Sequence, residues 1–164
     1  MTIRFGILTL SDRSARGERA DASGPALADL IQSEGWSVVK QSLLPDEESA
    51  IREILISWAD SDELDVILTT GGTGFSPRDV TPEATRAVIE RDAPGLAEAM
   101  RLASLKITPH AMLSRVVTGI RKRALIINLP GSPKGAVENL QAISAVLPHA
   151  VQLLHEDPRS ESGH

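Results

Sequence analysis

Asp65-Val66-Ile67-Leu68-Thr69-Thr70-Gly71-Gly72-Thr73-Gly74 passes from a short apolar run directly into three glycines, and its reading decides the fold. Val66, Ile67 and Leu68 are consecutive, so the run is apolar on both faces, as in a strand of a parallel sheet covered by helices. Downstream, Thr81-Pro82-Glu83 has the order of N-cap, first-turn proline and early acid that opens a helix, with Val88 and Ile89 on its inner face. Pro94-Gly95 separates that helix from another over residues 96–105.

The same alternation extends in both directions. Residues 3–10 form an apolar run ended by a polar loop, which predicts a buried strand. A helix then starts at Ser23 as N-cap, repeats Leu27, Leu30 and Ile31 on one face, and stops at Gly35. Residues 36–44 read as a second strand. After Pro45-Asp46, the residues Ile51, Ile54, Leu55 and Trp58 fall at i, i+3, i+4 and i+7, a second helix. Residues 115–119 and 124–129 are β-rich runs joined by Arg121-Lys122-Arg123, read as a solvated hairpin turn. The second run ends at Asn128-Leu129-Pro130-Gly131-Ser132-Pro133. From Lys134 onward Val137, Leu140, Ile143 and Leu147 mark a helix, broken near Pro148 and resumed through Val151 and Leu154. The expected architecture is α/β: three layers, a mostly parallel sheet with helices on both faces. Residues 1–157 form one domain and residues 158–164 a flexible tail.

Composition narrows the function. The 164 residues are 41% hydrophobic and 24% charged, an ordinary globular balance. The formal net charge is −5, and two Trp, two Phe and no Tyr leave little material for stacking bases, so a nucleic-acid partner is not expected. The absence of cysteine excludes disulfides, thiolate metal sites and cysteine nucleophiles. No apolar run reaches spanning length, and a cytoplasmic protein without a membrane partner is the expectation. His110, His149, His155 and His164 show no ligand spacing, so a zinc site is not expected. His149 and His155 would decorate the last helix. Ser114 lacks the GxSxG setting of a hydrolase nucleophile.

Strand ends in a parallel sheet share one edge, and three of them are polar or glycine-rich: 9–12, 69–74 and 128–134. Gly71, Gly72 and Gly74 would let the backbone approach a ligand and offer successive N–H groups to an anion. Read alone, the loop is either a phosphate cradle or a structural turn. It lacks the Lys-Ser/Thr of a P-loop and the GxGxxG of a dinucleotide fold. Asp79 follows the glycines and Asp46 occupies another strand-to-helix junction. Each would stabilise a turn, or the two would share a Mg²⁺ with phosphate oxygens. Lys134 would neutralise phosphate charge or lie solvated on the surface.

Taken together, Leu8-Thr9-Leu10-Ser11-Asp12, Leu44-Pro45-Asp46, the segment 69–74, Arg78-Asp79-Val80-Thr81-Pro82-Glu83 and the segment 128–133 resemble the molybdopterin adenylyltransferase family, which includes the bacterial molybdenum-cofactor enzyme and the G domains of gephyrin and its plant counterpart. The resemblance runs in order over residues 3–155. It implies an α/β domain, commonly a homotrimer, that transfers AMP from Mg-ATP to the molybdopterin phosphate, releases pyrophosphate, and passes its product to a separate molybdate-insertion enzyme. By motif, Asp46 and Asp79 are implied as catalytic carboxylates and Mg²⁺ ligands. Thr70, Gly71, Gly72, Thr73 and Gly74 are implied as nucleotide-binding. Ser11, Asp12, Asp21, Ser114, Asn128, Pro130, Gly131, Ser132 and Lys134 are implied around the pterin or substrate. Competing expectations are a related tungsten-linked or otherwise uncertain paralogue, and a non-catalytic pterin-binding or scaffold module.

Overall fold

The computed structural model describes residues 2–163; Met1 and His164, the latter part of the expected tail, lie outside them. Its elements are β1 (Arg4–Leu10), α1 (Asp12–Ala15), α2 (Ser23–Ser33), β2 (Ser37–Leu44), α3 (Glu48–Asp60), β3 (Val66–Thr70), α4 (Thr81–Val88), β4 (Arg91–Asp92), α5 (Pro94–Leu105), β5 (Thr118–Arg121), β6 (Ala124–Leu129), α6 (Pro133–Ile143) and α7 (Leu147–Leu154). Short 3₁₀ segments cover Pro109–Leu113, Ser144–Val146 and Pro158–Gly163.

The strands form one sheet in the order β2-β1-β3-β6-β5-β4. The first four are parallel, while β5 and β4 run antiparallel at one edge. Side chains alternate across it as the period of two requires. Phe5, Ile7, Val66, Leu68, Leu125 and Ile127 face α2, α5, α6 and α7. Leu8, Leu10, Ile67 and Ile126 face α3 and α4. The three-layer expectation therefore holds. β1 lies between β2 and β3, so the chain winds outward from it in both directions, and the crevice at such a reversal is where parallel sheets hold ligands.

Several local expectations are corrected. α1 is a one-turn helix where the sequence read as loop, and Ser11 starts it by accepting from Ser14 N–H at 3.2 Å. The N-cap of α2 is Ala22 and not Ser23, which is already helical; Asp21, one residue before the cap, accepts from Gly24 N–H at 3.1 Å through Oδ1. Thr81 is likewise inside α4; its hydroxyl donates to the Gly71 carbonyl at 2.9 Å, fastening the glycine loop to the helix start. β5 begins three residues later than expected because Arg115 and Val117 spend their N–H groups on Thr73 O and Asn128 Oδ1. Arg121 is not a solvated turn residue: it pairs with Asp60 at 2.9 Å and donates to Val88 O. The last helix breaks at Ser144–Val146, with Pro148 in the first turn of α7. His155 does not merely decorate α7; its Nε2 lies 2.9 Å from buried Asp65 Oδ1.

Candidate active site

The ends of β1, β2 and β3 converge around a polar cavity of about 730 Å³. The glycine loop forms one wall. Gly71 and Gly72 sit at φ +106° and +66°, the left-handed region where glycine carries no steric cost. Gly71 N–H continues the ladder to Leu129 O at 3.2 Å, and Thr81 N–H reaches Gly72 O at 3.1 Å. The loop is pinned at both ends before any ligand arrives.

Asp46 projects from the β2–α3 junction into this cavity. Its Oδ2 accepts from Asp12 N–H at 3.0 Å, and its own N–H donates to Asp12 Oδ1 at 3.0 Å. Oδ1 of Asp46 is buried with no hydrogen-bond partner among the described residues. Burial pushes the Asp46 carboxyl above the usual aspartate range against the Asp12 hydrogen bond, and the charges of Asp12 and Asp79 push the same way. Asp79 lines the same cavity, and its Oδ2 accepts from Ser76 N–H at 3.0 Å. A desolvated carboxylate oxygen beside a second carboxylate is a group awaiting a cation or a proton donor. Among the described residues no group of three His, Asp or Glu forms a protein-only metal cage. Asp46 and Asp79 instead fit the mode in which Mg²⁺ takes one or two carboxylates and completes its shell from phosphates and water.

The other expected residues divide. Ser11, Asp12, Asp21, Gly131 and Ser132 line the same cavity. Asp21 also accepts from Thr9 Oγ1 at 2.8 Å, tying α2 to the end of β1. Thr73, Gly74, Ser114 and Pro130 line a second, more apolar cavity of about 290 Å³, together with Ile107 and Leu113; Ser132 borders both. Thr70 lines the first cavity, though its hydroxyl is spent on Pro130 O at 2.7 Å. Asn128 and Lys134 line neither. Asn128 is fully buried, donates to Thr69 and Thr85 hydroxyls at 2.9 Å each, and accepts from Val117 N–H at 3.0 Å. The Lys134 side chain is 80% exposed and 3.9 Å from Glu138.

Arginines supply what the sequence reading missed. Arg13, Arg16 and Arg19 line the polar cavity beside Arg78. Their spacing of three along a short stretch was the available signal, obscured by an acidic total charge. Arg78 forks onto Asp12, with Nε and Nη2 each at 3.0 Å, and reaches Glu47 at 2.9 Å. Its hydrogen bond, followed by that from Asp46 N–H, holds the Asp12 carboxyl below the usual range. Arg115 staples the outer half of the loop, donating to Gly74 O and Asp79 O at 2.8 Å each and pairing with Glu83 at 2.7 Å.

Known proteins resemble this chain in sequence and fold over most of its length. Residues 6–149 match the family described as probable molybdopterin binding domain. The molybdenum cofactor synthesis protein cinnamon of Drosophila melanogaster is 49% identical over 95% of this chain, which spans 26% of that protein's length. Molybdopterin adenylyltransferase of Escherichia coli K12 is 41% identical over 98% of this chain and 89% of its own. The crystal structure of the molybdopterin biosynthesis enzyme MoaB from Thermus thermophilus superposes with a TM-score of 0.90 at 52% identity, over 96% of this chain and 99% of that one. With residues 6–149 matched and its fold shared with relatives over nearly the whole length, the chain belongs to the molybdenum cofactor biosynthesis family of probable molybdopterin binding domains.

Proposed function

We propose that this protein is a molybdopterin adenylyltransferase. An oxygen of the molybdopterin phosphate attacks the α-phosphorus of ATP, the bond from that phosphorus to the β-phosphate oxygen breaks, and pyrophosphate leaves. The observation that carries the reading is the buried Oδ1 of Asp46, unpartnered among the described residues, in the cavity that Asp79, Gly71 and Gly72 also line. The similarity to bacterial proteins of that name over most of both chains supports it.

A phosphate monoester already bears a charged oxygen at neutral pH, so positioning and charge neutralisation dominate over proton abstraction. Asp46 and Asp79 would hold a Mg²⁺ with phosphate oxygens; when bound, it would neutralise the charge gathered on the transferring phosphates. Arg13 and Arg19, which line the cavity, would pair with the charge of the departing pyrophosphate. Backbone N–H groups of the glycine loop orient the nucleotide, and the apolar cavity beyond Thr73 offers a flat ring a dry surface. The homotrimer implied by the family resemblance would bury exposed apolar side chains such as Leu102 and Met112. The product would pass to a molybdate-insertion enzyme. No helix among the described residues is long and apolar enough to cross a membrane.

The test incubates purified protein with molybdopterin, Mg²⁺ and ATP and follows pyrophosphate together with adenylylated pterin. Stoichiometric formation of both is expected, and Asp79→Asn should lower turnover far more than pterin affinity. Pterin binding without any nucleotide-dependent product would overturn the reading in favour of a binding module.

A further inference from the structure

Asp46 does not hold its own orientation. Among the described residues its one side-chain anchor is the backbone N–H of Asp12, at 3.0 Å on Oδ2, and the other oxygen is the unpartnered one. The Asp12 carboxylate returns the contact by accepting Asp46 N–H. Two carboxylates linked in this way repel each other, and the link persists only where a cation offsets the repulsion. That cation is Arg78, with two parallel bonds to Asp12 and a third to Glu47, the residue following Asp46. One guanidinium thus joins the loops after β1, β2 and β3.

We propose that Arg78 is a positioning residue for Asp46: by clasping Asp12 and Glu47 it fixes the two loops that aim the free oxygen of Asp46 into the cavity. The Arg78 side chain is 54% exposed, and an ion pair this open contributes little to global stability. Its planar fork, however, sets the relative orientation of its acceptors, which a lysine ammonium cannot reproduce. The effect of Arg78 therefore falls on the geometry of the site and not on the fold.

The catalytic part of the test rests on the adenylylation reading; the structural part is independent of it. Arg78→Met should lower kcat for adenylyl transfer by about 10- to 100-fold, the usual loss when a supporting hydrogen bond behind a functional carboxylate is removed, with KM for the pterin nearly unchanged. Arg78→Lys should fall between. In an Asp46→Asn background the Arg78→Met change should have little further effect on the residual rate, because both act through one group. Amide hydrogen exchange gives the second readout. The N–H groups of Asp12 and Asp46 are covered by each other's carboxylates, so Arg78→Met should speed their exchange at least about tenfold and leave the strand amides unchanged. If wild-type protein makes no adenylylated product, the functional reading fails and the exchange rates alone decide the clasp. Unchanged exchange at Asp12 and Asp46 overturns the proposal, as does a loss of activity fully additive with Asp46→Asn. Uniformly faster exchange over the whole sheet also counts against it, since that is the mark of lost fold stability.

Discussion

Gly71 and Leu10 touch backbone to backbone: a Cβ built on Gly71 would stand 2.2 Å from the Leu10 carbonyl oxygen, at a φ of +106°. Neither partner is a side chain able to rotate away. Gly71→Ala should therefore cost about 3 kcal/mol through combined backbone strain and overpacking, read as a lower denaturation midpoint. Gly95→Ala is the control, because a Cβ there would meet no heavy atom within 4 Å and its φ lies outside the left-handed region.

Gly72 plays a different part. Its Cβ would lie 2.4 Å from Thr81 Oγ1 and 2.9 Å from Asp46 Oδ1. Gly72→Ala should displace the unpartnered carboxylate oxygen directly and lower adenylyl-transfer kcat by about 100-fold, the scale of a misplacement of roughly 1 Å. Steady-state kinetics beside a thermal melt would separate this from Gly71→Ala. A Gly72→Ala protein that melts lower yet turns over normally would contradict the assignment.

The contrast between these glycines also shows where the sequence was legible. Val66, Ile67 and Leu68 announced a central strand because each is fully buried and nothing competes with that reading. Asp46 and Asp79 were legible because strand ends in a parallel sheet must share an edge. Thr81 was misread as a cap because its hydroxyl has two outlets, and the loop carbonyl it takes lies ten residues earlier. Arg78 and Arg115 went unread for a related reason: their acceptors lie 31 to 66 residues away, and no local periodicity encodes such contacts. Asn128 closes a strand and borders a motif, so its burial beneath the site was invisible until the sheet was assembled.

Asp46 should govern the acid side of the activity profile. Its carboxyl in the free protein is raised chiefly by burial, and the reaction requires the carboxylate, so kcat/KM should fall as pH drops through a value above the ordinary aspartate pKa of about 3.9. A profile flat down to about pH 4 would exclude Asp46 as the titrating group. The stability sign follows from the same shift. A folded-state pKa above the unfolded one favours the folded protein most fully below the unfolded value, and that contribution is lost as pH rises through the folded value. Asp46→Asn removes the penalty on the charged form and should raise the melting temperature near pH 7 while reducing turnover to a low residual rate.

Asn128→Ala distinguishes a pocket residue from a structural one. The substitution leaves Val117 N–H buried without its acceptor and both Thr69 and Thr85 hydroxyls without their donor. The expected cost is about 2 to 3 kcal/mol from the unsatisfied groups and lost packing. KM for pterin and for ATP should stay within about twofold, below roughly 0.4 kcal/mol of binding. A large KM effect on a protein of normal stability would return Asn128 to the substrate pocket.

Asp65 should set the acid stability of the fold from the opposite edge of the sheet. Burial alone would push its carboxyl up, but the hydrogen bonds and charge of Arg4, with the bond from His155, outweigh burial and hold it below the usual range. Its Oδ2 accepts Arg4 N–H at 2.8 Å and Nε at 3.2 Å, while Oδ1 accepts Nη2 and His155 Nε2, each at 2.9 Å. For a depressed carboxyl the contribution is complete above the unfolded pKa of about 3.9 and is lost as pH falls through the folded value. Asp65→Asn should therefore cost about 2 to 3 kcal/mol at pH 7 and lose less further stability than the wild type between about pH 4 and pH 2. His155→Gln should cost less, since Arg4 keeps three of the four contacts. Denaturant midpoints across that range provide the measurement. Parallel curves for wild type and Asp65→Asn would mean that acid unfolding begins elsewhere.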